Sequence, residues 1–73
     1  MGGVSDSPLS IRETEVLIGV RAGQSVAQIA STLYLSGATV RNHLAAATGR
    51  LGAKSRDEAA ELADTNGWLV LPH

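Results

Sequence analysis

Apolar residues in this chain recur at three- and four-residue intervals in four separate blocks, and nowhere do they alternate singly as a half-buried strand requires. Val16, Leu17 and Val20 share one helical face, as do Val26, Ile29, Ala30 and Leu33 in the second block. Val40, Leu44, Ala47 and Leu51 form the third stripe, and Ala59, Leu62 and Ala63 the fourth. Each block has a start signal. Ser10–Glu13, Ser25–Gln28 and Ser55–Glu58 have the spacing of a capping box, in which side chain and backbone satisfy each other's otherwise unpaired N–H donors. Ser36 with Thr39 is a weaker version, and each serine cap contributes on the order of 1 kcal/mol. Gly23, Gly52 and Gly67 fall where a left-handed residue would stop the first, third and fourth helices. The predicted helices run 11–22, 26–33, 37–51 and 56–66, with Tyr34, Leu35 and Ser36 forming the short turn of a helix-turn-helix. The expected fold class is all-α, with four helices.

Length and composition narrow this further. A chain of 73 residues is one domain with a small core. With no Phe, one Trp and one Tyr, that core must be filled by Leu, Val, Ile and many alanines, which implies closely packed helices. The absence of cysteine excludes a disulfide staple or thiolate metal site and fits a reducing cytoplasm. No apolar run approaches the ~18 residues of a membrane span, and no basic-then-apolar leader opens the chain. Residues 1–8 read as a flexible N-terminal segment, with Met1, Gly2 and Gly3 an appended start or a frayed end. Residues 9–69 read as the domain and 70–73 as a tail. No phosphate-cradling glycine loop, nucleophile elbow or zinc motif is present. The chain is therefore not expected to be an enzyme, to hold a cofactor or metal, or to act on a small-molecule substrate. His43 has no second His, Cys or paired carboxylate at a ligand spacing.

Charge changes the picture only when read by segment. Formal net charge is −1, which by itself argues against nucleic acid. Yet no Asp or Glu occurs from Val16 through Arg56, a stretch that contains Arg21, Arg41, Arg50, Lys54 and Arg56. The acids Asp6, Glu13, Glu15, Asp57, Glu58, Glu61 and Asp64 all lie outside it. Such polarity lets one face meet phosphates while another stays acidic, although acids and bases can also segregate by chance in a short chain. At about 100° per residue, the side of the third helix opposite its apolar stripe carries Ala38, Arg41, Asn42 and Ala45. Arg can bond guanine O6 and N7 together, Asn can do the same to adenine, and Ala can pack against a thymine methyl. That face suits a helix lying in the major groove of DNA.

The same residues carry a family resemblance. Arg12-Glu13 with Glu15-Val16-Leu17 opens the first helix, Ile29-Ala30 with Leu33 marks the second, and Leu35-Ser36, Thr39-Val40 and His43 mark the third. Leu51-Gly52, Ser55-Arg56 and Glu58-Ala59 follow. From Leu9 to Leu69 the chain resembles the LuxR-type (GerE-like) DNA-binding domain of NarL/FixJ response regulators, and its second half is similar to the DesR-like branch. The resemblance implies a four-helix domain that binds double-stranded DNA through its third helix. It also implies a homodimer on DNA, often paired through the fourth. Arg41, Asn42 and Ala45 match the family's base-facing positions. Ser36, Thr39, Lys54 and Arg56 match positions that touch the DNA backbone, and Ala59, Leu62 and Ala63 are the candidate dimer interface. The family commonly has basic residues where this chain has Val26-Ala27, Ser31-Thr32, Ala45 and Gly49, so the electrostatic part of DNA affinity should be weak.

Each residue also has a plainer reading. Arg41 alone is an ordinary solvated helix arginine, and Asn42 is a poor helix former that needs some compensating use. His43, at the border of the apolar stripe, is expected to pack or to bond a neighbouring backbone group. Tyr34 is expected to pack over the junction of the second and third helices. Ala59, Leu62 and Ala63 are either core or dimer seam. Gly49 either allows close approach of a partner or loosens the last turn of its helix. A helix-turn-helix without DNA affinity, serving as a dimerisation or protein-docking module, is the main alternative function. A sigma-factor-like promoter-reading domain is another, disfavoured by the fourth capped helix.

Overall fold

Ser10, Ser25, Ser36 and Ser55 each stand in extended backbone, and each hydroxyl accepts the N–H of the residue three positions on. From these caps run α1 (Ile11–Arg21), α2 (Val26–Leu33), α3 (Gly37–Leu51) and α4 (Arg56–Thr65). The computed structural model describes residues 7–71, among which there is no strand. Most of the expected flexible segment and the last two residues of the tail lie outside that range. The capping boxes of α1 and α2 are complete, with Glu13 and Gln28 reaching back to the Ser10 and Ser25 N–H groups. The box expected at α4 is only half made. Ser55 Oγ accepts from the Glu58 N–H, but the Glu58 carboxylate accepts instead from the Lys54 N–H at 2.9 Å.

The four helices end in the same way. A left-handed residue follows each, and the next N–H donates to a carbonyl five residues back, as in a Schellman motif. These bonds run from Gln24 to Gly19, Leu35 to Ala30, Ala53 to Thr48 and Trp68 to Ala63, at 2.9–3.0 Å. The left-handed residues are Gly23, Tyr34, Gly52 and Gly67. Three of these stops were readable as glycines. The fourth is made by a tyrosine.

Both α1 and α3 pack against the other three helices. Val16, Leu17, Ile29, Val40 and Leu44 form the buried centre, completed by Ala30, Ala47, Ala59, Ala60 and Ala63. Leu9, Leu33, Leu35, Leu51, Trp68 and Leu69 pack around its rim. Two expectations change here. The inner face of α4 is Ala59, Ala60 and Ala63, not Ala59, Leu62 and Ala63. Three methyl-sized residues let α4 lie close to α1 and α3, and the bulkier Leu62 is displaced to the edge, 38% exposed. Tyr34 does not pack over the helix junction; it is 94% exposed.

Gly19 is where α1 meets α2. A Cβ there would stand 2.5 Å from Ile29 Cγ1, whereas a Cβ at Gly49 would meet nothing within 4 Å. Gly19→Ala is therefore expected to destabilise the domain, because overpacking of about 1–3 kcal/mol outweighs the helix-propensity gain. Gly49→Ala should stabilise it by up to about 1 kcal/mol. Urea midpoints measure both. Equal shifts in the two variants would contradict the close α1–α2 contact.

Candidate nucleic-acid interface

Burial of Val40, Leu44 and Ala47 turns the other side of α3 outward, and Ala38, Arg41, Asn42 and Ala45 are all exposed there. The Arg41 guanidinium lies back over the first turn of its own helix. A Cβ on Gly37 would stand 3.6 and 3.8 Å from its two terminal nitrogens, in ordinary van der Waals contact with them. The N-cap Ser36 accepts from the Thr39 N–H at 3.1 Å and donates its hydroxyl proton to Thr39 Oγ1 at 2.9 Å. That arrangement leaves the Thr39 hydroxyl proton uncommitted. Arg56, the first residue of α4, joins this face across an open notch it lines with Arg41, Ala45, Thr48 and Gly49. Lys54 and Ser55 are exposed in the loop that leads into α4. The structure thus brings Ser36, Thr39, Arg41 and Asn42 together at the N-terminal half of α3, and Ala45 with Arg56 beside its C-terminal half. His43 is half-buried.

The positive segment is thinner than the sequence suggests. Arg21 pairs with Asp64 at 2.9 Å and Arg50 with Glu13 at 3.2 Å. Among the described Lys and Arg side chains only Arg41, Lys54 and Arg56 have no ion-pair partner. The Arg50–Glu13 pair was not legible in the sequence, because Glu13 already has a complete local role in its capping box. The separation of 37 positions between the two leaves no linear signal. Its effect is to fasten the C-terminal end of α3 to the N-terminal cap of α1. Burial pushes the Glu13 carboxyl up, but the Ser10 N–H and the Arg50 guanidinium stabilise its charged form, and the group titrates below its ordinary value. Ala59 and Ala63, expected at a dimer seam, have no exposed surface because they fill the contact of α4 with α1 and α3. Of that trio only Leu62 reaches solvent.

Comparison with known proteins identifies the family. Residues 7–63 match the family model described as "Bacterial regulatory proteins, luxR family". The chain belongs to the LuxR family. Over 64 residues the LuxR-type domain is 41% identical to the uncharacterised transcriptional regulatory protein YvfU of Bacillus subtilis, covering 88% of this chain and 32% of YvfU. It is 39% identical over 64 residues to the response regulator RamR of Streptomyces coelicolor, again 88% of this chain and 32% of the relative. To the transcriptional regulatory protein DesR of Bacillus subtilis it is 37% identical over 63 residues, 86% of this chain and 32% of DesR. The chain thus spans about a third of the length of these curated relatives. No helix among the described residues is long and apolar enough to cross a membrane.

The Glu13 ion pair gives a pH signature. A carboxyl whose folded-state pKa lies below its unfolded value contributes fully above the unfolded value, about 4.3, and loses that contribution as pH falls through the folded one. Glu13→Gln, which keeps the backbone cap, should flatten the acid limb of the stability profile below about pH 4.5. At neutral pH it should cost about 1 kcal/mol, held to the low end by the half-exposed Arg50. Urea titrations of both chains from neutral pH to pH 3 measure this. An unchanged acid limb in Glu13→Gln would contradict it.

Proposed function

We propose that this LuxR-type domain binds double-stranded DNA sequence-specifically, with α3 in the major groove, as the output domain of a bacterial response regulator. One observation carries the reading. The outward side of α3 has no acid and presents Arg41, Asn42 and Ala45, while its inward side is wholly used by the core. In the proposed complex Arg41 and Asn42 bond base edges and the Ala45 methyl packs on a thymine. Thr39 donates its free hydroxyl proton to a phosphate, with Ser36 holding it in place. Lys54 and Arg56 meet phosphates on the flank.

The three unpaired cations among the described residues set the electrostatic scale. With roughly 0.9 counterion released per phosphate contact, the log–log salt slope for one half-site should lie between about −2 and −3. Arg41→Ala should cost about 1–3 kcal/mol on a duplex selected from a random library and relax preference at one position. Lys54→Ala should weaken binding to selected and unrelated duplexes alike and reduce the slope by about one. Titrations at several salt concentrations measure both. Failure to bind any duplex at low salt would instead favour a dimerisation or protein-docking module.

Pairing on DNA is the second part of the proposal. With Ala59 and Ala63 buried, Leu62 is the apolar residue of α4 left to meet a second copy, and one partly exposed leucine is too little for a dimer in solution. Two half-sites about one helical turn apart would supply the alignment. Leu62→Glu should then abolish cooperativity on a two-half-site duplex while sparing binding to one half-site. Circular dichroism confirms that the variant is folded, and a folded variant that still binds cooperatively would remove α4 from the pairing.

A further inference from the structure

Tyr34 is the exception in an otherwise uniform construction. All four helices end in one hydrogen-bonded motif, and in three the left-handed residue is glycine; in α2 it is Tyr34, at φ 58°. A side chain in that conformation crowds its own carbonyl oxygen, which glycine avoids. Burial of the aromatic ring would offset such a cost. Tyr34 does not, since 94% of it is exposed. The fold alone would be better served by glycine there.

The position suggests what the ring meets. Tyr34 stands in the turn between α2 and α3, two residues before the Ser36 cap. When a helix-turn-helix docks with its second helix in the major groove, its first helix crosses the sugar–phosphate backbone, and the connecting turn rides at the groove edge. We infer that Tyr34 is a further DNA-contact residue, its phenol hydroxyl donating to a backbone phosphate oxygen beside the half-site read by α3. The inference rests on the DNA-binding reading above. Tyrosine hydroxyls are among the usual neutral donors to phosphate. A neutral donor at this edge adds affinity where the chain has Val26-Ala27 and Ser31-Thr32 in α2 and no base. It fixes position on the duplex without reading sequence.

The test compares the parent chain with Tyr34→Phe and Tyr34→Gly on a library-selected duplex and an unrelated one, with thermal melting of each protein. Tyr34→Gly should melt several degrees higher, about 4–8 °C if the full left-handed strain is relieved. It should nevertheless bind both duplexes about three- to tenfold more weakly. Tyr34→Phe should melt like the parent and show the same loss. Neither should change the salt slope, because a neutral donor releases no counterion. Parental affinity in Tyr34→Phe overturns the inference, as does a loss confined to the selected duplex, which would mean a base contact. A parent chain that binds no duplex removes the DNA-binding reading itself; a parent that binds beside an unaffected Tyr34→Phe removes the tyrosine contact alone.

Discussion

Val40, Leu44 and Ala47 give the core one side of α3, and that single constraint fixes the rotation of the helix about its own axis. Rotation is what matters for a reading helix, since about 100° separates successive side chains and a turn of one residue would replace Arg41 by a neighbour. Three partners oppose such a turn, because α1, α2 and α4 all pack on α3. Its ends are held as well. Ser36 caps the first turn, and Arg50 in the last turn bonds the buried Glu13 of α1. An arginine near a helix C-terminus also complements the helix dipole, so the contact and the field act in the same direction.

The alanine-rich core and the exposed face of α3 are consequences of one another. Ala59, Ala60 and Ala63 bring α4 close enough for its first residue, Arg56, to share a notch with Arg41 and Ala45. Larger residues on that inner stripe would push α4 outward and carry Arg56 away from the exposed face of α3. The missing Cβ of Gly19 does the same work between α1 and α2, where Ile29 occupies its space. A core of few large side chains thus has little burial energy to spare. What it gains is close spacing of the helices that define the face.

Much of this was legible in the sequence, and the reason is local. Serine caps and left-handed glycines act within one turn of chain, so they placed the helix boundaries to within a residue, the usual uncertainty of such ends. The apolar stripe of α3 was legible because it is strictly periodic and long. The stripe of α4 was misread because hydrophobicity favours Leu62 over Ala60, whereas close packing selects by size. Glu13 and Arg21 were read for charge, yet their partners Arg50 and Asp64 are joined to them only by tertiary contact. The packing expected of Tyr34 follows from its large ring, and ring size says nothing about a residue serving as a helix stop. Local rules found the elements; pairings between distant positions needed the fold.

The acids bear on the proposed DNA complex as much as the bases do. Asp57 and Glu58 occupy the first turn of α4, where they favour its dipole, and Glu61 is exposed farther along the same helix. They lie close in sequence to Lys54 and Arg56, so the boundary between attraction and repulsion for phosphate is sharp. A duplex that approached along α4 would meet like charge, and one that approached along the exposed side of α3 meets only Arg41, Asn42 and small residues. Repulsion of this kind selects orientation without adding affinity. It also keeps the domain from holding arbitrary DNA tightly, since non-specific binding is almost wholly electrostatic. In the proposed complex a domain with three unpaired cations among its described residues would rely on a correctly rotated helix and on neutral hydrogen-bond donors for its discrimination. The rigid seating of α3 is the physical condition for that mode of recognition.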